Sequence, residues 1–224
     1  MMLSKKSFFK IKLIIILCAF LSLGMTKLYA QTDTPKHILV FGDSLSAAYG
    51  IDVSQGWVHL METDLNQATK SSQENTNKYK VSNASISGET TTGGLARLEL
   101  TLQELKPDLV LLALGANDGL QGHPITKIES NINSMIDIIK KQNIDVVIFG
   151  ISIPATYGPR YIDKFRKIFP RIAQQRNLLF LDLYQEEFFL KPGFIQNDQL
   201  HPTAIAQPVI KDVILGFLRK VKLL

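Results

Sequence analysis

The sequence holds a serine, a histidine and an aspartate whose types and settings suit nucleophilic attack on an acyl carbonyl. Ser44 lies in Gly42-Asp43-Ser44-Leu45-Ser46, directly after the apolar run 37–41. A serine hydroxyl needs a nearby base to become nucleophilic at neutral pH. Asp198 and His201 stand three residues apart in Asp198-Gln199-Leu200-His201-Pro202. At that spacing, in a loop or a single helical turn, the carboxylate reaches the imidazole. It would fix the ring tautomer and stabilise the imidazolium, leaving the other ring nitrogen for Ser44. An oxyanion formed in such an attack needs preorganised donors. Candidates are the N–H of Ser44, the N–H of Gly88 in Asn83-Ala84-Ser85-Ile86-Ser87-Gly88, and the side-chain amide of Asn117 in Gly115-Ala116-Asn117-Asp118-Gly119.

Each feature also has a plainer reading. Ser44 can cap a helix, Asp198 can cap the last helix with His201 as a bystander, and Gly88 and Asn117 can be turn residues. Taken singly, each favours the plainer reading. Their joint appearance at expected strand ends favours a site, because open α/β sheets bind ligands beyond the carboxyl ends of their strands. The other histidines contribute less: His37 begins a strand, His59 lies in a helix and His123 lies in a loop. No pair has the spacing of a metal site, and neither a metal nor another cofactor is expected.

Runs at 37–41, 79–84, 109–114, 145–151 and 178–181 read as strands, and the continuously apolar ones among them indicate a parallel sheet covered on both faces. Helices are expected at 56–66, 94–105, 125–142, 161–176 and 203–221 from apolar residues recurring at helical spacing. Pro170 requires a kink or break in the fourth, and Pro208 an irregularity in the last. The polar stretch 67–78 reads as a solvated loop. This alternation predicts one three-layer α/β sandwich around a parallel sheet of about five strands.

Residues 1–30 read as a secretory leader. Lys5, Lys6, Lys10 and Lys12 precede the apolar run 13–25, and Ala30 offers a cleavage point before Gln31. An uncleaved anchor is the alternative, although the run is short for a membrane span. The leader holds five lysines and no acid. The full chain has 25 basic and 20 acidic residues, so 31–224 has 20 of each. Its net charge is zero, which gives no basis for nucleic-acid binding. Cys18, the one cysteine, lies in the leader, so a cysteine nucleophile is excluded from the remainder.

Gly42-Asp43-Ser44-Leu45, Gly88, Gly115-x-Asn117-Asp118 and Asp198-x-x-His201, in that order, resemble the blocks of the GDSL, or SGNH, hydrolase family. The similarity is to its bacterial periplasmic branch of thioesterases, lysophospholipases and arylesterases. It extends through Gly94-Leu95-Ala96-Arg97-Leu98, Pro154-Ala155-Thr156-Tyr157-Gly158, Leu190-Lys191-Pro192 and Ala206-Gln207-Pro208. The resemblance implies a three-layer α/β/α sandwich with a flavodoxin-like five-stranded parallel sheet in the order 2-1-3-4-5. It implies Ser44 as nucleophile, His201 as base, Asp198 as its partner, and an oxyanion hole of Ser44, Gly88 and Asn117. The implied activity is serine-esterase hydrolysis of acyl esters and thioesters through an acyl-enzyme, by a periplasmic or secreted monomer. Two positions depart from the pattern. Ala116 stands where the resemblance leads one to expect Gly, implying a more restricted turn, and the 67–78 stretch is longer.

The stretches 153–157 and 188–195 are unusually apolar for loops. Ile153, Pro154, Tyr157, Phe189 and Leu200 are candidates to line a groove for a medium or long acyl chain. Equally, these residues can seal the sheet end as core. A carbohydrate-ester deacetylase of the same superfamily and a non-catalytic lipid-binding protein on this fold remain as alternatives.

Overall fold

The computed structural model describes residues 35–70, 78–153, 157–183 and 191–224; the leader expected at 1–30 lies outside them. Runs rich in Val, Ile, Leu and Phe form β1 (Lys36–Gly42), β3 (Leu109–Ala113), β4 (Asp145–Gly150) and β5 (Leu179–Asp182), while the more polar β2 (Tyr79–Asn83) is an edge strand with no buried residue. The sheet order is β2-β1-β3-β4-β5 and every pairing is parallel. Ile38 to Phe41 and all of β3 are buried, as strands covered on both faces must be.

The described helices are α1 (Trp57–Lys70), α2 (Thr91–Leu105), α3 (Ala116–Leu120), α4 (Ile125–Lys141), α5 (Pro159–Arg166), α6 (Ile168–Arg176) and α7 (Gln207–Lys220). The chain steps from β1 to β2 in one direction along the sheet and from β2 onward in the other. Right-handed crossovers therefore set α1 on one face and α2, α4 and α6 on the opposite face. α7 returns to pack against α1. The α4 stripe of Ile128, Ile132, Met135, Ile136 and Ile139 is buried, each residue worth about 1.5–3 kcal/mol of transfer free energy.

Several boundaries differ from expectation for local reasons. α1 runs on through residues 67–70, where Gln, Ala and Lys are good helix formers, so that part of the expected loop is helical. α2 begins at Thr91 because the Thr90 hydroxyl caps it, accepting from the Gly93 N–H. The helix expected at 161–176 with a kink or break is broken in two at Lys167. Pro170 then falls in the first turn of α6, where its missing N–H would have had no partner. α7 likewise begins at Gln207, and Pro208 occupies its first turn without disturbing it. Among the described residues no helix is long and apolar enough to cross a membrane.

Candidate active site

Parallel register delivers the key segments to one edge of the sheet. Gly42 pairs with Ala113 and Val40 with Asn83, so the chain leaves β1, β2 and β3 side by side. After β1 it turns tightly: the Asp43 carbonyl accepts from Ser46 N–H at 3.1 Å and Ala47 N–H at 3.0 Å. Ser44 caps no helix, since α1 starts only at Trp57. Instead its hydroxyl lies 2.8 Å from His201 Nε2.

His201 and Asp198 sit at the tip of a closed loop. An isolated antiparallel bridge joins Ile195 to Pro202. Gln196 N–H donates to the His201 carbonyl at 2.8 Å, and Thr203 N–H to the Phe194 carbonyl at 2.7 Å. Within the tip, Asp198 Oδ1 accepts from the N–H groups of Leu200 at 2.9 Å and His201 at 3.0 Å. Asp198 Oδ2 lies 2.7 Å from His201 Nδ1. Asp198 therefore folds its own loop and caps nothing in α7. Burial works to raise the Asp198 pKa, but hydrogen bonds from the His201 N–H and ring and from Leu200 N–H outweigh it and hold the group below its ordinary value. A carboxylate can only accept, so Nδ1 carries the ring proton and Nε2 is left to accept from the Ser44 hydroxyl. The ring is well sheltered, with 12% of the His201 side chain exposed against 38% for Asp198.

The turn after β3 supplies the amide. Gly115 takes φ +131°, a conformation open to glycine, and Ala116 is already in the first turn of α3. The restriction expected from Ala116 does not arise, because the neighbouring glycine absorbs the turn. Asn117 Nδ2 donates to the Glu89 carbonyl at 3.0 Å and lies 3.4 Å from Asp43 Oδ2. Gly88, at φ +81°, immediately precedes Glu89. Ser44, Gly88 and Asn117 are thus joined through Asp43 and Glu89. Asn117 Nδ2 is oriented by the Glu89 carbonyl and, more distantly, by the Asp43 carboxylate.

Beneath this surface lies a set of carboxylates that the motif reading did not single out. Asp43 is fully buried, with Oδ1 accepting from Leu45 N–H at 3.1 Å. Burial pushes its pKa up to about 7, aided by Glu89 and Asp118 and opposed by the Leu45 N–H. Asp118 is also fully buried. It accepts from Thr91 N–H at 2.6 Å and Thr91 Oγ1 at 2.7 Å, which ties the start of α2 to α3. Asn131 on α4 donates to Thr91 Oγ1 and Thr92 Oγ1, both at 3.0 Å. Glu89 pairs with Arg97, whose guanidinium carbon stands 4.0 Å from the centre of the Phe41 ring. The run Thr90-Thr91-Thr92 ahead of a helical stripe was the available signal, through its capping preference.

Residues 40–207 match the GDSL-like lipase/acylhydrolase family. The chain belongs to this family. An arylesterase of Vibrio mimicus is 40% identical over 187 residues, covering 84% of this chain and 90% of that one. Thioesterase 1/protease 1/lysophospholipase L1 of Escherichia coli strain K12 is 39% identical over 183 residues, covering 82% of each. The crystal structure of the psychrotrophic esterase EstA from Pseudoalteromonas aligns with a TM-score of 0.75 at 37% identity, covering 83% of this chain and 97% of that one. As a GDSL-family member at this similarity, the chain is an esterase of the serine type, and its fold is that of the family.

The groove candidates divide. Ile153 is 4% exposed and part of the hydrophobic core, where it and Phe165 close over Gly119. This burial agrees with the alternative that the segment serves as core at the sheet end. Tyr157 is exposed and Leu200, beside His201, is half-buried. Pro154 and Phe189 lie outside the described residues. His37 is remote from Ser44 in role, its ring buried and 2.8 Å from Ser82 Oγ.

Proposed function

We propose that Ser44 is the nucleophile, His201 the general base and Asp198 the group that orients and stabilises it. The observation that carries this reading is the continuous chain from Ser44 Oγ to His201 Nε2 at 2.8 Å and from His201 Nδ1 to Asp198 Oδ2 at 2.7 Å. In the proposed reaction the Ser44 proton passes to Nε2 as Oγ bonds to the acyl carbon. The oxyanion forms against the N–H groups of Ser44 and Gly88 and the Asn117 amide. His201 then protonates the leaving alcohol or thiol, and water repeats the sequence to free the acid and regenerate Ser44.

The substrates proposed are oxyesters and thioesters of medium or long acyl chains, lysophospholipids among them, hydrolysed by a monomer without cofactor. Tyr157 and Leu200 are the described residues proposed to meet the acyl chain. We place the enzyme in the periplasm or outside the cell after loss of residues 1–30, on the strength of their basic and apolar pattern.

The test is one hydrolysis panel of nitrophenyl esters, acyl thioesters and lysophospholipids, with Ser44→Ala as control. Loss of the nucleophile lowers kcat by as much as roughly 10⁶-fold in serine hydrolases. Turnover retained in purified Ser44→Ala protein would overturn the assignment. Across the nitrophenyl series, octanoyl is expected to exceed acetyl in kcat/KM, and the reverse order would remove the long-chain reading.

A further inference from the structure

One aromatic ring stands against the proposed base. The Tyr49 ring centre is 4.3 Å from that of His201, with the planes inclined at 34°. Tyr49 is half-exposed, so burial alone does not hold it there. The backbone holds it instead. Ala48 adopts φ +58°, a left-handed conformation that alanine takes up only at a cost, and the turn closes with Ile51 N–H donating to the Ala48 carbonyl at 3.2 Å.

Gln196 ties this turn to the loop that carries the base. Its Nε2 donates to the Tyr49 carbonyl at 2.8 Å and to the Pro202 carbonyl at 3.0 Å. Its backbone N–H donates to the His201 carbonyl at 2.8 Å. Its Oε1 lies so near Gly50 that a β-carbon there would be 2.4 Å away. One side chain thus fastens the segment after Ser44 to the segment around His201, across 147 residues of sequence.

We infer that Tyr49 is a positioning residue for His201, held by Gln196, and that its ring face supports the imidazolium formed during acyl transfer. The inference rests on the proposed roles of Ser44 and His201. When the Ser44 proton moves to Nε2, the ring gains a full positive charge. The groups facing it are Asp198 at Nδ1, Ser44 at Nε2 and the electron-rich face of Tyr49. An aromatic face attracts a cation, and a stacked ring also limits rotation of the imidazole away from Oγ. Both effects act on the chemical step and leave ground-state substrate binding unchanged.

The test compares kcat and KM on nitrophenyl butyrate for the full chain and its Tyr49→Leu, Tyr49→Phe, Gln196→Ala, double Tyr49→Leu/Gln196→Ala and Ser44→Ala variants. Tyr49→Leu is expected to lower kcat about five- to tenfold, the scale of one aromatic–cation contact, with KM little changed. Tyr49→Phe keeps the ring face and is expected to recover most of the rate. Gln196→Ala is expected to lower kcat in the same way, and the double variant to fall short of the product of the two effects, since Gln196 acts through Tyr49. If Tyr49→Leu does not fold, Gln196→Ala alone carries the kcat-against-KM test. Wild-type kcat in Tyr49→Leu overturns the inference. So does a rise confined to KM, which makes Tyr49 a substrate contact, or a Phe variant as slow as Leu, which assigns the effect to the hydroxyl. Turnover by Ser44→Ala would remove the underlying reading as well, whereas an inert Ser44→Ala beside a fast Tyr49→Leu removes only the role of Tyr49.

Discussion

Asp43 ought to make the protein less stable as pH rises, and replacing it with Asn ought to abolish that trend. Its carboxyl is fully buried, and its pKa is pushed from 3.8 to about 7. The folded chain therefore holds this proton more tightly than the unfolded chain. Between the two values folding takes up a proton, so the stabilisation is complete below the unfolded pKa and is lost as pH rises through the folded one. The whole rise is worth about 4 kcal/mol. Integrated over a practical window from about pH 5 to about pH 8, it is roughly 3 kcal/mol. In Asp43→Asn the carbonyl can still accept from Leu45 N–H, but the new amide faces that of Asn117, a donor against a donor. That contact costs about 1–3 kcal/mol, and it does so at every pH. The offset between wild type and variant should thus move by roughly 3 kcal/mol in the variant's favour between the two conditions, whatever its starting value. Urea unfolding of both proteins at both pH values measures it, and titrating groups that do not interact with Asp43 cancel in the difference. An offset that is the same at both pH values would refute a buried, proton-holding Asp43.

Two further outcomes follow from particular bonds. Asn117→Ala removes the amide held by the Glu89 carbonyl and is expected to lower kcat by about 10²–10³-fold with stability little changed; a drop of less than about tenfold would take Asn117 out of the oxyanion hole. Gln207→Ala leaves the buried Trp57 N–H without the Oε1 it meets at 3.0 Å, and should cost about 1–3 kcal/mol in denaturant unfolding while KM holds; unchanged stability would mean that solvent reaches the start of α1.

β1, β3 and β4 were legible because they are buried on both faces and read as apolar runs, and Ile128 to Ile139 marked α4 as plainly. Short and local departures were not. α3 spans five residues, too few to display a period. The end of α1 lies in polar residues whose helix preference is real but invisible to a hydrophobic pattern. The break in the 161–176 helix was legible from Pro170, but its place at Lys167 was not. At the site, the motif reading reached Ser44, Gly88, Asn117, Asp198 and His201 through residue type and strand-end position. It did not reach Gln196 or Tyr49, because a bond across 147 residues leaves no trace in spacing. Asp43 was read only as a neighbour of Ser44; its raised pKa comes first from burial and then from Glu89 and Asp118, all of which act on it only in the folded chain.

The two atoms of the Ser44–His201 bond belong to residues 157 apart in sequence, and the second arrives on the loop that follows the last strand. A chain ending after β5 would possess every strand of the described residues and the Ser44 hydroxyl, but not the imidazole of His201. The proposed serine–imidazole pair therefore forms only when the C-terminal loop is held in place, by Gln196 against Tyr49 and by Gln207 of α7 against Trp57. A product truncated ahead of that loop would retain Ser44 without the imidazole that meets its hydroxyl at 2.8 Å.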